Sequence, residues 1–168
     1  LTSEFGKYPV GMAVTLDKMA QPFLTTVRLL PKIVHLGIGC RRNTPLEKIE
    51  ALVLAELERL KIDKRCVVCI ASVDLKKDEA GLLAFAEKYK WHTKFYSAEE
   101  LSKVEGDFTP SDFVANVVGV SNVCECSAVL ASGGGKLLLR KTSLNGVTLA
   151  IAIEDIALDL NKTGLKTE

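Results

Sequence analysis

Gly37-Ile38-Gly39-Cys40-Arg41-Arg42 sets two glycines, a thiol and two guanidinium groups in one short stretch, after an apolar run and just before a helical pattern. The opening matches the first part of a dinucleotide-binding fingerprint, which asks for a third glycine at position 42 so that helix and strand pack closely. Arg42 stands there instead. Three readings stay open. One is a dinucleotide site with Asp74 as its acidic residue, and another is a glycine turn with two solvated arginines. The third is an anion seat, in which planar donor forks grip carboxylates in pairs and the amides of a helix start add to the attraction. Two neighbouring arginines suit a ligand with several carboxylates better than one phosphate.

A second group lies in "SVDLKKDEAGLL", where Asp74 ends a strand pattern and Lys76 follows. Asp74 is the candidate catalytic carboxylate, able to orient or activate water, and Lys76 is a candidate for holding a substrate carboxylate. Lys77 reads as solvated and Asp78 as a helix cap. A third group, "VGVSNVCEC", brings Ser121 and Glu125 to a turn onto a helix, as a cap and a helix-surface residue that could also meet ligand or water. Lys136, Arg140 and Lys141 add cations near the end of the chain.

The five cysteines, Cys40, Cys66, Cys69, Cys124 and Cys126, are an odd number and read as reduced thiols. Cys66 and Cys69 have metal-like spacing, but an odd separation within a strand sends them to opposite faces. No metal site is expected. Cys40 stands near a helix start, which would lower its pKa. His35 and His92 fall in strand-like runs, so no histidine neighbours it in sequence.

The elements that must position these groups alternate regularly. "IVHLGIG" and "RCVVCIASV" read as buried strands, and "HTKFYS" as a shorter one. Between the first two, Thr44, Pro45 and Glu47 suggest a capping box, with Leu46, Ile49, Leu52, Val53, Leu57 and Leu60 on one helical face. Leu82, Phe85, Ala86 and Tyr89 mark the next helix. Ser97 to Glu100 opens a short one, Thr109-Pro110-Ser111-Asp112 another, and Ser121 or Asn122 a third. After "SGGG", two strands are joined through Asn145-Gly146, a hairpin signal. The expected fold is α/β: a three-layer α/β/α sandwich whose mixed, mostly parallel sheet ends in an antiparallel strand pair. Ligands of such sheets sit beyond the carboxyl ends of the strands, which nominates the loops Cys40 to Thr44 and Asp74 to Asp78. Residues 1–32 read as a strand-rich lead-in, the end of a preceding domain or an edge hairpin; 33–155 form the main domain and 156–168 a tail.

Bulk properties narrow the classes. Lys plus Arg number 22 against 21 acidic residues, a balance unlike that of a general nucleic-acid binder. No apolar run approaches the roughly 18 residues that span a bilayer, and the start has neither a signal-peptide layout nor an initiator Met. The expectations are a fragment or processed chain, a cytoplasmic location, and no membrane partner.

Taken together, "GIGCRRNT", "SVDLKKDEAGLL", "FYSAEEL", "TPSDFVANVVGVSNVCE" and "GGGKLLLRK" closely resemble the carboxy-terminal domain of CbiG and the stand-alone CobE proteins of cobalamin biosynthesis. The likeness runs from about residue 33 to 153, and the segment before it favours CbiG. Arg140, where proline is expected, and the thiol-rich "CEC" depart from the pattern. The resemblance implies a cobalt-precorrin-5A hydrolase, which opens the ring A δ-lactone and releases acetaldehyde, or a CobE-like tetrapyrrole carrier. It implies an anionic tetrapyrrole as ligand, with cobalt carried by the substrate and no cofactor of the protein's own. Gly37, Gly39, Cys40, Arg41, Arg42, Thr44, Lys76, Ser121 and Glu125 would bind it, and Asp74 would act on it. The expectation leaves room for a homodimer and for contacts with other pathway enzymes.

Overall fold

The computed structural model of the chain describes residues 8–109 and 122–156. Its elements are β1 (Val10–Val14), β2 (Thr25–Leu29), β3 (Val34–Cys40), α1 (Leu46–Arg59), β4 (Val67–Val73), α2 (Ala80–Tyr89), β5 (His92–Tyr96), α3 (Ala98–Ser102), α4 (Val123–Ala131), β6 (Lys136–Leu144) and β7 (Val147–Ile153). The central sheet has five strands in the order β5-β4-β3-β7-β6. β3, β4 and β5 pair in parallel, while β7 is antiparallel to both β3 and β6. Four strands therefore point one way and β7 alone runs against them. This is the expected mixed sheet, ending in the expected antiparallel pair.

Alternation along the strands builds two unlike faces. Val34, Leu36, Ile38, Ile70, Leu149 and Ile151 pack against Ile49, Leu52 and Val53 of α1 and Leu82 and Phe85 of α2. The other face is paved with small residues, because α4 lies almost on the backbone there. Ala150 and Ala152 meet Cys124 and Ala128, and Cys69 and Ala71 meet Ala131. A Cβ on Gly37 would come 1.8 Å from the Cys124 carbonyl oxygen, so only glycine admits this helix. Cys66 packs with the first face and Cys69 with the second, but Cys66 lies in a short 3-10 turn just before β4 rather than in the strand, so the strand alternation expected of the pair does not apply to it.

Helix starts divide between expectation and correction. Ser97 and Glu100 form the reciprocal capping box, and Asn122 caps α4 by accepting from the Glu125 amide. The box at Thr44 and Glu47 does not form: Pro45 is the cap residue of α1, and the Thr44 hydroxyl donates instead to the Arg41 carbonyl at 2.8 Å. Asp78 does not cap α2 either, because Glu79 holds that position. The hairpin turn is as expected, with Asn145 and Gly146 both at positive φ. The helix expected from Thr109-Pro110-Ser111-Asp112 lies outside the described residues.

The lead-in forms no edge hairpin. β1 and β2 pair in parallel as a separate two-stranded sheet, with Val10, Met12, Val14, Val27 and Leu29 exposed on one face. It joins the main body through the Asp17 to Ile62 bridge and through Leu16 and Leu30, which pack against the larger core.

Candidate functional site at the carboxyl ends of the central strands

The chain crosses from β3 to β4 to β5 over one sheet face and then returns to the far side of β3 through β6 and β7. Strand order thus reverses beside the carboxyl end of β3, which is where open α/β sheets hold ligands. The loop after β3 and the loop after β4 meet there. Gly81, in the first turn of α2, sits so close to the Thr44 carbonyl that a Cβ would come 2.0 Å from its oxygen. The two nominated loops therefore form one continuous rim.

Cys40 ends β3 and is half-buried, and Thr44 is buried beside it. The Cys40 thiol has its pKa raised, because burial disfavours the thiolate more than the Lys76 ammonium favours it. This corrects the expected activated thiol: Cys40 lies on a strand, before the helix amides can reach it. Arg42 is exposed and donates twice to Asp78, at 3.1 and 3.2 Å, which holds the Asp78 carboxyl below its usual range. Arg41 diverges from it. Its amide donates to the Gly146 carbonyl at 3.3 Å and its side chain lies against Gly146. The two guanidinium groups thus flank the β3 terminus rather than stack.

Asp74 opens a short 3-10 turn and is exposed. Lys76 is largely covered, at 14% side-chain exposure, and its ammonium lies 3.5 Å from Glu79, which is only 3% exposed. Glu79 was not singled out in the sequence. It stands three residues before Leu82 and seven before Ala86, both buried, so the helical period already put it on the core-facing side.

The glycines serve packing. Gly37 lies mid-strand beneath α4, and the space a Gly39 side chain would need holds the Thr148 hydroxyl. That arrangement departs from a dinucleotide turn. Glu125 is not on a helix surface: it is fully buried and accepts from the Thr109 amide and hydroxyl, both at 2.8 Å, and from the Lys141 amide at 2.6 Å. Ser121 lies outside the described residues.

Two other features stand apart from the rim. His35 is buried, with Nε2 2.7 Å from Glu154 Oε1 and Nδ1 3.2 Å from Cys69 Sγ. Burial pushes the imidazole pKa down despite Glu154, and pushes the Cys66, Cys69, Cys124 and Cys126 thiols up to about 11. A shallow cavity of ≈ 330 Å³ lies at the opposite ends of the strands, among Lys32, Lys64, Arg65, Tyr89, Lys90 and Trp91. Arg65 there is held by Asp63 at 2.7 Å, and Lys64 lies over the Tyr89 ring. Among the described residues no cluster of three or more His, Cys, Asp or Glu could hold a metal ion, and no helix is long and apolar enough to cross a membrane.

A family model described as Cobalamin synthesis G C-terminus (CbiG_C) matches residues 34–152. The chain belongs to the CbiG C-terminal family. A cobalt-precorrin-5A hydrolase from Priestia megaterium is 37% identical over 123 residues, covering 73% of this chain and 33% of that protein. The structure of CobE, a protein from the cobalamin biosynthetic pathway, superposes with a TM-score of 0.68 at 30% identity, covering 73% of this chain and 91% of CobE. A cobalamin biosynthesis protein G homolog from Sulfolobus solfataricus superposes with a TM-score of 0.61 at 26% identity, covering 86% of this chain and 44% of that one. The chain spans from about a third to less than half of the length of its hydrolase relatives. Within the CbiG C-terminal family, the matched residues contain all five strands of the central sheet and both rim loops, apart from the last residue of β7.

Proposed function

We propose that this chain acts in cobalamin biosynthesis as the carboxy-terminal portion of a cobalt-precorrin-5A hydrolase. Its similarity to the Priestia megaterium hydrolase over 123 residues carries this reading. The substrate is a broad macrocycle fringed with acetate and propionate groups, and the rim supplies cations of matching chemistry. Arg42 reaches such a carboxylate by exchanging its exposed bond to Asp78, and exposed pairs of this kind contribute only about 0–1 kcal/mol. Arg41 meets the fringe from the side of the β6–β7 turn, and Lys76 from the β4 loop. Cys40 and Thr44 form the wall between them.

In this reading Asp74 orients a water toward the ring A lactone carbonyl, and Arg41 with the loop amides stabilises the oxyanion. Water adds to the carbonyl and the acyl–oxygen bond breaks, leaving a free carboxylate and a hydroxyethyl group on the ring. As that hydroxyl gives up its proton, the carbon–carbon bond to the macrocycle breaks, the electron pair passes to the ring, and the two carbons leave as acetaldehyde. Cobalt enters as part of the substrate. Residues 1–32 belong to a lead-in unit, 33–155 to the catalytic family's domain and 156–168 to a tail. We place the protein in the cytoplasm, with a homodimer or other pathway enzymes as partners.

A carrier role is the second reading, favoured by the near-complete coverage of CobE. Single-turnover acetaldehyde release with cobalt-precorrin-5A separates the two: release supports the hydrolase, and tight binding without release supports the carrier. Asp74→Asn is expected to abolish release while changing corrinoid affinity by less than about threefold. Unchanged release would remove Asp74 from the reaction.

A further inference from the structure

Lys76 differs from every other cation of the rim. Arg41 and Arg42 are exposed, whereas most of the Lys76 stem is covered and its ammonium faces a carboxylate that is itself almost fully buried. Buried ion pairs hold well when the geometry is close and the remaining donors and lone pairs find partners. Here the separation is 3.5 Å, longer than the roughly 2.7–2.9 Å of a close charge-assisted bond. An ammonium has three donors, and Glu79 takes one of them among the described residues. Nor does Glu79 cap its own helix: it occupies the cap position of α2 without a side-chain bond to that helix. Its carboxylate is turned instead toward Lys76. Gly81 fixes this arrangement by pressing α2 onto the Thr44 carbonyl. A covered pair with donors left over, at the strand ends where ligands bind, is built to receive a third charged group.

We propose that Lys76 and Glu79 form the selective element of the anion seat: Glu79 is a positioning residue that aims the Lys76 ammonium at one carboxylate of the ligand. Arg41 and Arg42 supply general attraction, and the covered pair distinguishes an acid from its amide at one position of the fringe. This rests on the tetrapyrrole reading above. It also reverses the simplest electrostatic expectation. Removing a negative charge from an anion site should strengthen anion binding; removing the residue that aims the ammonium should weaken it.

The test is an absorbance titration of the full chain at pH 7 with cobyrinic acid, whose side-chain carboxylates are free, and with cobinamide, in which they are amidated. We expect the wild-type chain to prefer the acid at least tenfold. Glu79→Gln should weaken cobyrinic acid binding at least fivefold, and Lys76→Gln should cut the preference at least threefold, the arginines keeping the remainder. The double variant should be no worse than Lys76→Gln alone, because the two act as one unit. Should Glu79→Gln fail to fold, the Lys76→Gln comparison still decides. Binding of the acid that is unchanged or tighter in Glu79→Gln, or a preference cut less than threefold in Lys76→Gln, overturns the proposal. If Arg41→Ala and Arg42→Ala weaken binding while the Lys76 and Glu79 variants do not, the tetrapyrrole reading stands and this one falls. If no variant alters binding of either probe, or neither probe binds, both fall.

Discussion

Glu125 ties three parts of the chain together. Its carboxylate receives the Thr109 amide and hydroxyl and the Lys141 amide, and Asn122 beside it donates to the Thr109 carbonyl at 2.9 Å. Lys141 is available because register shifts in β6 take it out of the ladder with β7. Glu125→Ala would leave these part-buried donors without their buried acceptor, so we expect a loss of about 3 kcal/mol in urea unfolding. His35 makes a different demand. As a neutral ring it donates from Nε2 to Glu154 and accepts the Cys69 thiol at Nδ1, with Lys94 the further charge acting on it. Its pKa lies below 6.5 in the folded state, so near that pH the unfolded chain binds more protons. Stability is therefore expected to be full above about pH 7 and to fall as the pH drops through 6.5. His35→Gln should flatten that slope in pH-dependent thermal unfolding.

At the scale of elements, the contact of α4 with the sheet depends on the absence of side chains. Gly37→Ala would drive a methyl into the Cys124 carbonyl, and we expect a loss of about 3 kcal/mol or failure to fold. Gly133→Ala is the control, since nothing lies within 4 Å of its Cβ and only its positive φ resists. It should cost about 1 kcal/mol by the same denaturant measurement. The helix faces, the buried strands, the Ser97 box and the Asn145-Gly146 turn were all legible in the sequence, because each follows from a local period or a local hydrogen bond. The starts of α1 and α2 were not. Thr44 and Asp78 are good caps in isolation, but Thr44 bonds backward to Arg41 and Asp78 bonds across to Arg42. The Arg42 partner exists only once the loops meet, whereas the Thr44 bond is a local turn that competes with the cap.

For the whole molecule, the five-stranded sheet and its two helical layers contain the main core, and the β1–β2 sheet touches it through a few residues. A chain beginning at Ile33 should keep one cooperative unfolding transition and lose roughly 2 kcal/mol, for the partial burial of Leu16 and Leu30. A broad, non-cooperative transition in calorimetry would show that the lead-in completes the core. The exposed apolar face of Val10, Met12, Val14, Val27 and Leu29 also predicts that this shorter chain stays monodisperse to higher concentration.

The sequence by itself determined the layered α/β architecture and the family, since hydrophobic period, turn residues and motif order are all written locally. It also pointed to the rim, because the ends of parallel strands can be counted along the chain. Only the tertiary structure decided which polar residues share that rim and which hold the fold together. Glu79 and Glu125 are both acidic residues at helix starts, and their sequence contexts look alike. One meets a lysine from a neighbouring turn and the other meets amides from distant segments, and such partners are fixed by packing.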